Sequence, residues 1–140
     1  ANIEICVAAA MLHQYHDAKK VEKFLKKIKL EKTLVEQITA CIYWNQLSKK
    51  VQKPIPLEAK VVFDSDKLQM IGPFGFSREL ASQIIRDGRT FSAAAKTARQ
   101  LQHKAFFSLR TKTAKQMAVK QQSIMEGFYT HFDELDRGIL

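Results

Sequence analysis

Apolar side chains recur every three or four residues along nearly the whole chain, which is the period of an α-helix with one buried face. Val21, Phe24, Leu25 and Ile28 follow this spacing, and five lysines lie largely outside their stripe: Lys19, Lys20, Lys23, Lys26 and Lys27. We find no β-hairpin signal and no internal repeat. The sequence therefore predicts an all-α fold, an irregular bundle of six to seven helices.

Capping residues predict where these helices begin. We expect Asn2 to cap a first helix that is apolar nearly all round, is buried and runs to about His16, and Asp17 to cap the second. The third is expected to open at the capping box of residues 33–36, with Val35, Ile38, Cys41 and Ile42 inward.

After a polar loop, residues 48–53, later starts are expected at Pro56, Ser77, Ser92 and Thr111. Gly72-Pro73-Phe74-Gly75 breaks the helix between Pro56 and Ser77. The expected inner face of the last helix is Ala114, Met117, Gln121, Ile124, Met125, Phe128, Phe132 and Leu135.

Composition sets the class of protein. With 140 residues, 46% of them hydrophobic and 26% charged, the chain is predicted to form one globular domain, residues 1–140. Cys6 and Cys41 have no metal or disulfide spacing, so they are interpreted as small buried hydrophobes in a reducing compartment, the cytoplasm. The longest apolar run, Ile5–Leu12, is far shorter than the roughly 20 residues that span a bilayer, and no membrane partner is expected.

Asp64 and Asp66 stand in the middle of a helical segment that runs from Pro54 to Gly72, and Asp64 directly follows the apolar residues 61–63. Burying a charge is costly unless it is paired, hydrogen-bonded or bound to a metal. A second apolar segment ends in His13, so His13 and Asp64 are the raw material of a metal site. The alternatives are that His13 is a core-edge histidine bonded to a backbone carbonyl, and that Asp64 pairs with Lys67 or a helix N-terminus. Asp66 could equally be a hydrogen-bonding structural residue.

The same segment carries a more specific pattern. It reads Leu57 to Val62, then Asp64-Ser65-Asp66-Lys67-Leu68, then Ile71-Gly72, and it continues through Gly75-Phe76-Ser77-Arg78. This pattern resembles the HD-domain superfamily of metal-dependent phosphohydrolases, in particular its small bacterial members. A weaker match runs through the C-terminal helix, from Thr111 to Gly138. The resemblance implies an HD-domain-like helical bundle, a divalent metal (Mn, Mg, Fe, Co or Ni) and a nucleotide or other phosphorylated small molecule as substrate.

The resemblance also implies a ligand set, which is a histidine on an earlier helix, a His-Asp pair and a later aspartate. His13 matches the histidine of the pair and Asp64 the later aspartate, whereas Gln14 stands where the pair's aspartate should be. No segment of the chain matches the earlier, histidine-bearing helix. Catalytic sites of this kind normally keep at least three protein ligands. Asp17, four residues after His13, could complete a rebuilt site of His13, Asp17 and Asp64.

We therefore expect a degenerate HD domain with little or no catalysis, no metal at full occupancy and a retained anion-binding pocket. His13 and Asp64 are expected to face each other across the core. Asp64, Asp66 and Lys67 are the candidate catalytic residues. The alternative is an active metal-dependent phosphohydrolase that uses the rebuilt site.

Positive charge is concentrated in one stretch of the sequence. From Arg86 to Lys120 there are nine lysines and arginines against a single acid, Asp87, and the whole chain has a formal net charge of +9. Such a surface attracts polyanions without reading their sequence, and the candidate anion-binding residues are Arg99, Lys104 and Lys112. No zinc-finger, RNP, KH or phosphate-loop motif is present. A module that binds nucleic acid weakly and non-specifically is the second alternative, and a solvated face is the simpler interpretation.

Overall fold

Helices account for nearly all of the described chain. The computed structural model describes residues 1–15, 17–45 and 54–137, and over these residues it has seven α-helices, one 3₁₀ turn and no strand. The prediction of an all-α fold with six to seven helices is confirmed. None of these helices is long and apolar enough to cross a membrane. The elements, in chain order, are α1 (Ile3–Leu12), the 3₁₀ turn (His13–Tyr15), α2 (Ala18–Lys27), α3 (Lys32–Trp44), α4 (Leu57–Leu68), α5 (Gly72–Ile85), α6 (Phe91–Ser108) and α7 (Lys112–Asp136).

The chain divides into two compact units, Ala1–Asp66 and Lys67–Leu140. The boundary falls near the end of α4, and each unit has its own buried apolar cluster. The expectation of a single domain over residues 1–140 stays a prediction. His16 and the expected polar loop at residues 48–53 lie outside the described residues.

Side-chain caps begin α1, α2 and α7 where the sequence predicts them. Asn2, Asp17 and Thr111 each have an extended backbone, and each accepts hydrogen bonds from backbone N–H groups of the first turn that follows. These N–H groups have no partner inside the helix, so the cap satisfies them. The local sequence is therefore sufficient to place these three starts.

Two other predicted starts are wrong by one or two residues. α3 begins at Lys32, so Thr33 lies inside the helix, and its hydroxyl donates to the carboxylate of Glu31 instead of capping the helix. α6 is capped by Thr90, whose hydroxyl accepts a hydrogen bond from the N–H of Ala93. Ser92, the predicted start, stands two residues after Thr90, and its side chain could not reach that first-turn N–H group.

α5 begins at Gly72 rather than at the predicted Ser77. Gly72 has a φ of 90°, a conformation that glycine adopts readily, and Pro73 follows in the first turn of the helix. Ser77 lies inside α5, where its hydroxyl donates to the carbonyl of Pro73. The predicted break between two helices is correct, but it occupies only the residues between Leu68 and Gly72.

The first unit is built on α3, against which α1 and α2 pack. The four residues predicted to face inward from α3 are all buried, and they join apolar residues from the neighbouring helices in one cluster. Contrary to expectation, α1 buries only Ile5 and Ala9. Ile3, Val7 and Met11 lie on its other side and are between 54% and 77% exposed. α1 therefore has a single buried face, although its sequence is apolar all round.

In the second unit α5 packs against both α6 and α7. Small residues of α6, among them Ala94, Ala95 and Ala98, are buried where the helices meet. The inner face of α7 differs from the predicted one, since Met117, Ile124, Phe128 and Leu135 are all more than 40% exposed and Gln121 is also exposed. The buried residues are Ala114, Ala118, Gln122, Met125 and Tyr129. This face keeps the helical spacing but passes through polar Gln122, which a hydrophobic pattern does not select.

Candidate functional site

His13 lies at the end of α1, in the first position of the 3₁₀ turn, and both of its ring nitrogens have polar neighbours. Nδ1 lies 2.5 Å from the carbonyl oxygen of Ala10, and Nε2 lies 3.0 Å from the side-chain nitrogen of Gln14. A carbonyl oxygen only accepts, so Nδ1 carries the proton. In the neutral ring Nε2 then accepts a hydrogen bond from the Gln14 amide. His13 thus has the carbonyl contact that its structural interpretation predicts.

Asp66 supplies the carboxylate beside His13. Its Oδ1 lies 3.7 Å from His13 Nε2, and the two side chains are 27% and 17% exposed. The distance is too long for a direct hydrogen bond, so the carboxylate is a close neighbour of the ring and not its hydrogen-bond partner. This proximity places Asp66 on the side of α4 that faces the end of α1.

Asp64 is oriented differently from Asp66. The two residues are separated by two positions on α4, which is a rotation of about 200° around the helix axis. Asp64 is only 3% exposed, and the neighbouring Lys67 is also buried. The sequence correctly placed Asp64 in a buried setting, but it did not predict that Asp66 is the carboxylate next to His13. The role of Asp64 as a metal ligand, and the catalytic roles of Asp64, Asp66 and Lys67, stay predictions.

Asp17 has a structural task of its own. Its Oδ1 accepts hydrogen bonds from the backbone N–H groups of Lys19 and Lys20 at the start of α2. Across residues 1–15, 17–45 and 54–137, no group of three or more histidine, cysteine or acidic side chains is arranged to hold a metal ion. The hydrogen bonds of Asp17 are those of a helix cap, and the rebuilt site of His13, Asp17 and Asp64 stays a prediction.

The two cysteines are free thiols; Cys41 is buried as expected, whereas Cys6 is only partly buried, contrary to the prediction. Burial, the largest influence, raises the pKa of Cys41 to about 12, and burial likewise raises the pKa of Cys6. The thiolate is the reactive form of cysteine. Cys41 belongs to the apolar core of the first unit, as the sequence predicts.

A basic surface runs along α6 in the second unit. Six side chains at helical spacing line an open groove of about 630 Å³, which we call the α6 groove: Lys96, Arg99, Gln100, His103, Lys104 and Phe107. Residues three, four, seven, eight and eleven positions apart share one face of a helix, which is why these side chains converge. Two of the three predicted anion-binding residues, Arg99 and Lys104, lie in it. The third, Lys112, begins α7 and does not line the groove.

Arg99 is already engaged by a carboxylate. Its Nη1 donates to both oxygens of Asp133, at 2.8 and 3.0 Å, and its guanidinium lies 4.6 Å from the centre of the Tyr129 ring. Lys96 and Lys104 are exposed, and neither forms an ion pair within the described part of the chain. The two lysines are therefore the cations of the groove that no carboxylate of the described residues engages, and the predicted anion-binding roles of Arg99, Lys104 and Lys112 stay predictions.

Phe107 and His103 supply the two aromatic rings of the groove, and neither was a candidate site residue in the sequence. Phe107 is 71% exposed, and its ring centre lies 5.1 Å from that of His103 in an edge-to-face arrangement. The useful signal was the spacing of Lys96, His103, Lys104 and Phe107 along one helix, which interleaves cations with aromatic rings.

Comparison with known proteins adds no further assignment. No protein-family model, curated protein or solved structure matches this chain. The resemblance of residues 57–78 to the HD-domain superfamily therefore stays a prediction.

Proposed function

We propose that this protein is a degenerate HD-like domain that binds phosphorylated ligands and hydrolyses them weakly or not at all. The observation that carries the proposal is the contact between the Gln14 amide and His13 Nε2. A metal ion would need the lone pair of Nε2, which here accepts a hydrogen bond from that amide. The residue at the position of the family's aspartate thus places an amide, rather than a carboxylate, 3.0 Å from the ring nitrogen that would bind the metal.

Charge supports the same conclusion. A glutamine in place of an aspartate removes one negative charge from the site, and a neutral amide is a poorer ligand for a hard divalent cation. A catalytic metal in such a site would supply an activated water and polarise a phosphoryl oxygen. The described residues do not fit that group, because they contain no three-ligand arrangement.

Binding of a phosphorylated ligand is assigned to the α6 groove. Lys96 and Lys104 are exposed cations, and α6 itself contains no aspartate or glutamate. Each of these ammonium groups could meet a phosphate group of the ligand without a competing carboxylate on the same helix. The free, unreactive cysteines are compatible with a reducing compartment, and we propose a cytoplasmic location.

Elemental analysis and a substitution at Gln14 test the loss of the metal site. We expect the purified protein to contain no stoichiometric transition metal and Gln14→Asp to bind Mn²⁺ more tightly in a calorimetric titration. Gln37→Asp is the matched control, because it makes the same charge change at an exposed position of α3. Full activity should not return in Gln14→Asp, since further ligands are lacking.

The alternative, an active metal-dependent phosphohydrolase, makes the opposite prediction. The wild-type protein would carry about one metal ion per chain and turn over nucleotides, and both His13→Ala and Asp64→Ala would abolish turnover. That combination of results would refute the loss of catalysis.

A further inference from the structure

We infer that the α6 groove binds single-stranded nucleic acid, with Phe107 as a stacking surface for a base and Lys96 and Lys104 as phosphate contacts. The inference rests on the phosphate-binding part of the proposed function, and it names the ligand class. It does not depend on the fate of the metal site.

Phe107 is the first observation that favours a ligand with bases. Its neighbours Ala105 and Leu109 are buried, whereas Phe107 points outward and is 71% exposed. The His103 ring packs against its edge, so the two rings form a small aromatic platform. Base–aromatic stacking is the main sequence-tolerant contact of proteins that bind single strands. A simple inorganic phosphate would make no use of this platform.

The distribution of cations is the second observation. Lys96 and Lys104 are eight residues apart, which is about 12 Å along the helix axis, so they can contact different phosphates of one strand. Asp133 of α7, the carboxylate that contacts Arg99 of the groove, is engaged in that ion pair. The groove therefore presents positive charge on both sides of the His103 ring, without an opposing free carboxylate on α6.

The engagement of Arg99 also argues against reading of base pairs. Specific recognition in the major groove commonly uses an arginine fork on guanine, but the Arg99 fork is held by Asp133 and rests on Tyr129. In a duplex the faces of the bases are covered by their neighbours, so Phe107 could not stack on them. A flexible single strand, bound without sequence selectivity, fits both features.

Fluorescence anisotropy with a labelled oligodeoxythymidine strand of about 16 nucleotides tests the inference, a length at the upper end of single-module site sizes. We expect Phe107→Ala to weaken binding about 5- to 150-fold, the range of one lost stacking contact, and Phe107→Tyr to retain it. Phe74→Ala is the matched control, because Phe74 is 74% exposed in the same unit and lies outside the groove. It should bind like the wild type.

The charge contribution is tested by the salt dependence of the same measurement. Each phosphate contact on a single strand adds about 0.7 to the slope of log K against log salt. Lys96→Gln combined with Lys104→Gln should therefore flatten the slope by about 1.4. The pair Lys19→Gln and Lys23→Gln makes the same change in net charge on exposed positions of α2, and should leave the slope nearly unchanged.

Unchanged binding in Phe107→Ala, equal binding of a duplex of the same length, or equal binding of polyglutamate would each overturn the inference. Unchanged binding in Phe107→Ala would show that no base stacks on Phe107. Equal binding of the duplex or of polyglutamate would show that the groove is a general polyanion-binding surface. If pyrophosphate binds at Lys96 and Lys104 but the oligonucleotide does not, only this inference fails. If neither binds, the phosphate-binding part of the proposed function fails as well.

Discussion

Gln102 joins three segments of the second unit, and its replacement should be among the most destabilising changes there. The side chain is 2% exposed on α6. Its Nε2 donates to the carbonyl oxygens of Met70 and Gly72, at 2.8 and 2.6 Å, and its Oε1 accepts from the Tyr129 hydroxyl at 2.6 Å. One amide thus satisfies both carbonyls of the turn before α5 and a hydroxyl of α7.

Gln102→Leu keeps the approximate volume but leaves three buried polar groups without this partner. Each such group costs about 1–3 kcal/mol, so we expect a loss of at least about 3 kcal/mol in the free energy of unfolding. Tyr129→Phe removes a single hydrogen bond and should cost about 1–3 kcal/mol. Gln102→Glu should be worse than Gln102→Leu, because it buries a negative charge beside two carbonyl oxygens to which it cannot donate, and this cost exceeds the one hydrogen bond it keeps with Tyr129.

Urea unfolding followed by circular dichroism measures these differences, with Gln116→Leu as the control because Gln116 is exposed on α7. The control should lie within about 0.5 kcal/mol of the wild type. A wild-type unfolding midpoint in Gln102→Leu would refute the assigned importance of the network. A Gln102→Glu variant more stable than Gln102→Leu would refute the orientation of the amide.

The same network predicts the titration of Tyr129. Burial raises the pKa of this phenol to about 12, because the charged form would lie in the apolar interior. The pKa is raised in the folded state, so the stabilisation is fully present below the ordinary value of 10.0 and is lost as the pH rises through about 12. An absorbance titration through pH 11 should show a tyrosine with a raised pKa in the wild type, and this titration should be missing in Tyr129→Phe.

Three further predictions concern stability and reactivity. In Gly75→Ala the new methyl group would overlap the Met70 carbonyl group, so we expect urea unfolding to show about 1–3 kcal/mol of destabilisation. The new methyl group of Gly127→Ala meets open space, so this variant should gain about 0.5–1 kcal/mol of stability. Equal effects of the two variants would contradict the close contact between Gly75 and Met70. Native Cys41 should resist iodoacetamide at pH 8, because burial raises its pKa to about 12, and rapid labelling detected by mass spectrometry would show that the core is open. The backbone hydrogen bond from Asn2 lowers the pKa of Glu58, so its stabilisation is present above the ordinary value of 4.5 and is lost as the pH falls through the lowered pKa. Glu58→Gln should therefore cost stability at pH 7 but not in strong acid, and a pH-independent difference would count against the assignment.

Features that depend on a few neighbouring residues could be read from the sequence. The caps at Asn2, Asp17 and Thr111 and the helix break at Gly72 involve groups no more than about four residues apart, as helix capping requires. The buried face of α3 was also predictable, because its apolar spacing is regular. The all-α class follows from the same local patterns.

The candidate site was only partly predictable. The sequence indicated that His13 and the aspartates of α4 are unusual, but it did not predict that Asp66 is the carboxylate 3.7 Å from His13 Nε2. The rotation of about 100° per residue gives Asp64 and Asp66 different directions on α4. The sequence named Arg99 as an anion-binding residue, yet Asp133, which is 34 residues away in the chain, occupies it.

The amino-acid sequence by itself determined the helical elements, three of their starts and the excess of positive charge between Arg86 and Lys120. Only the tertiary structure decided which cations remain available and which polar groups are satisfied. Such pairings depend on side chains that are distant in the chain and meet only after the helices pack, as Tyr129 and the turn before α5 do at Gln102. The residues next to each partner in the sequence are the same whether or not the contact forms, so a local sequence pattern carries no information about these contacts.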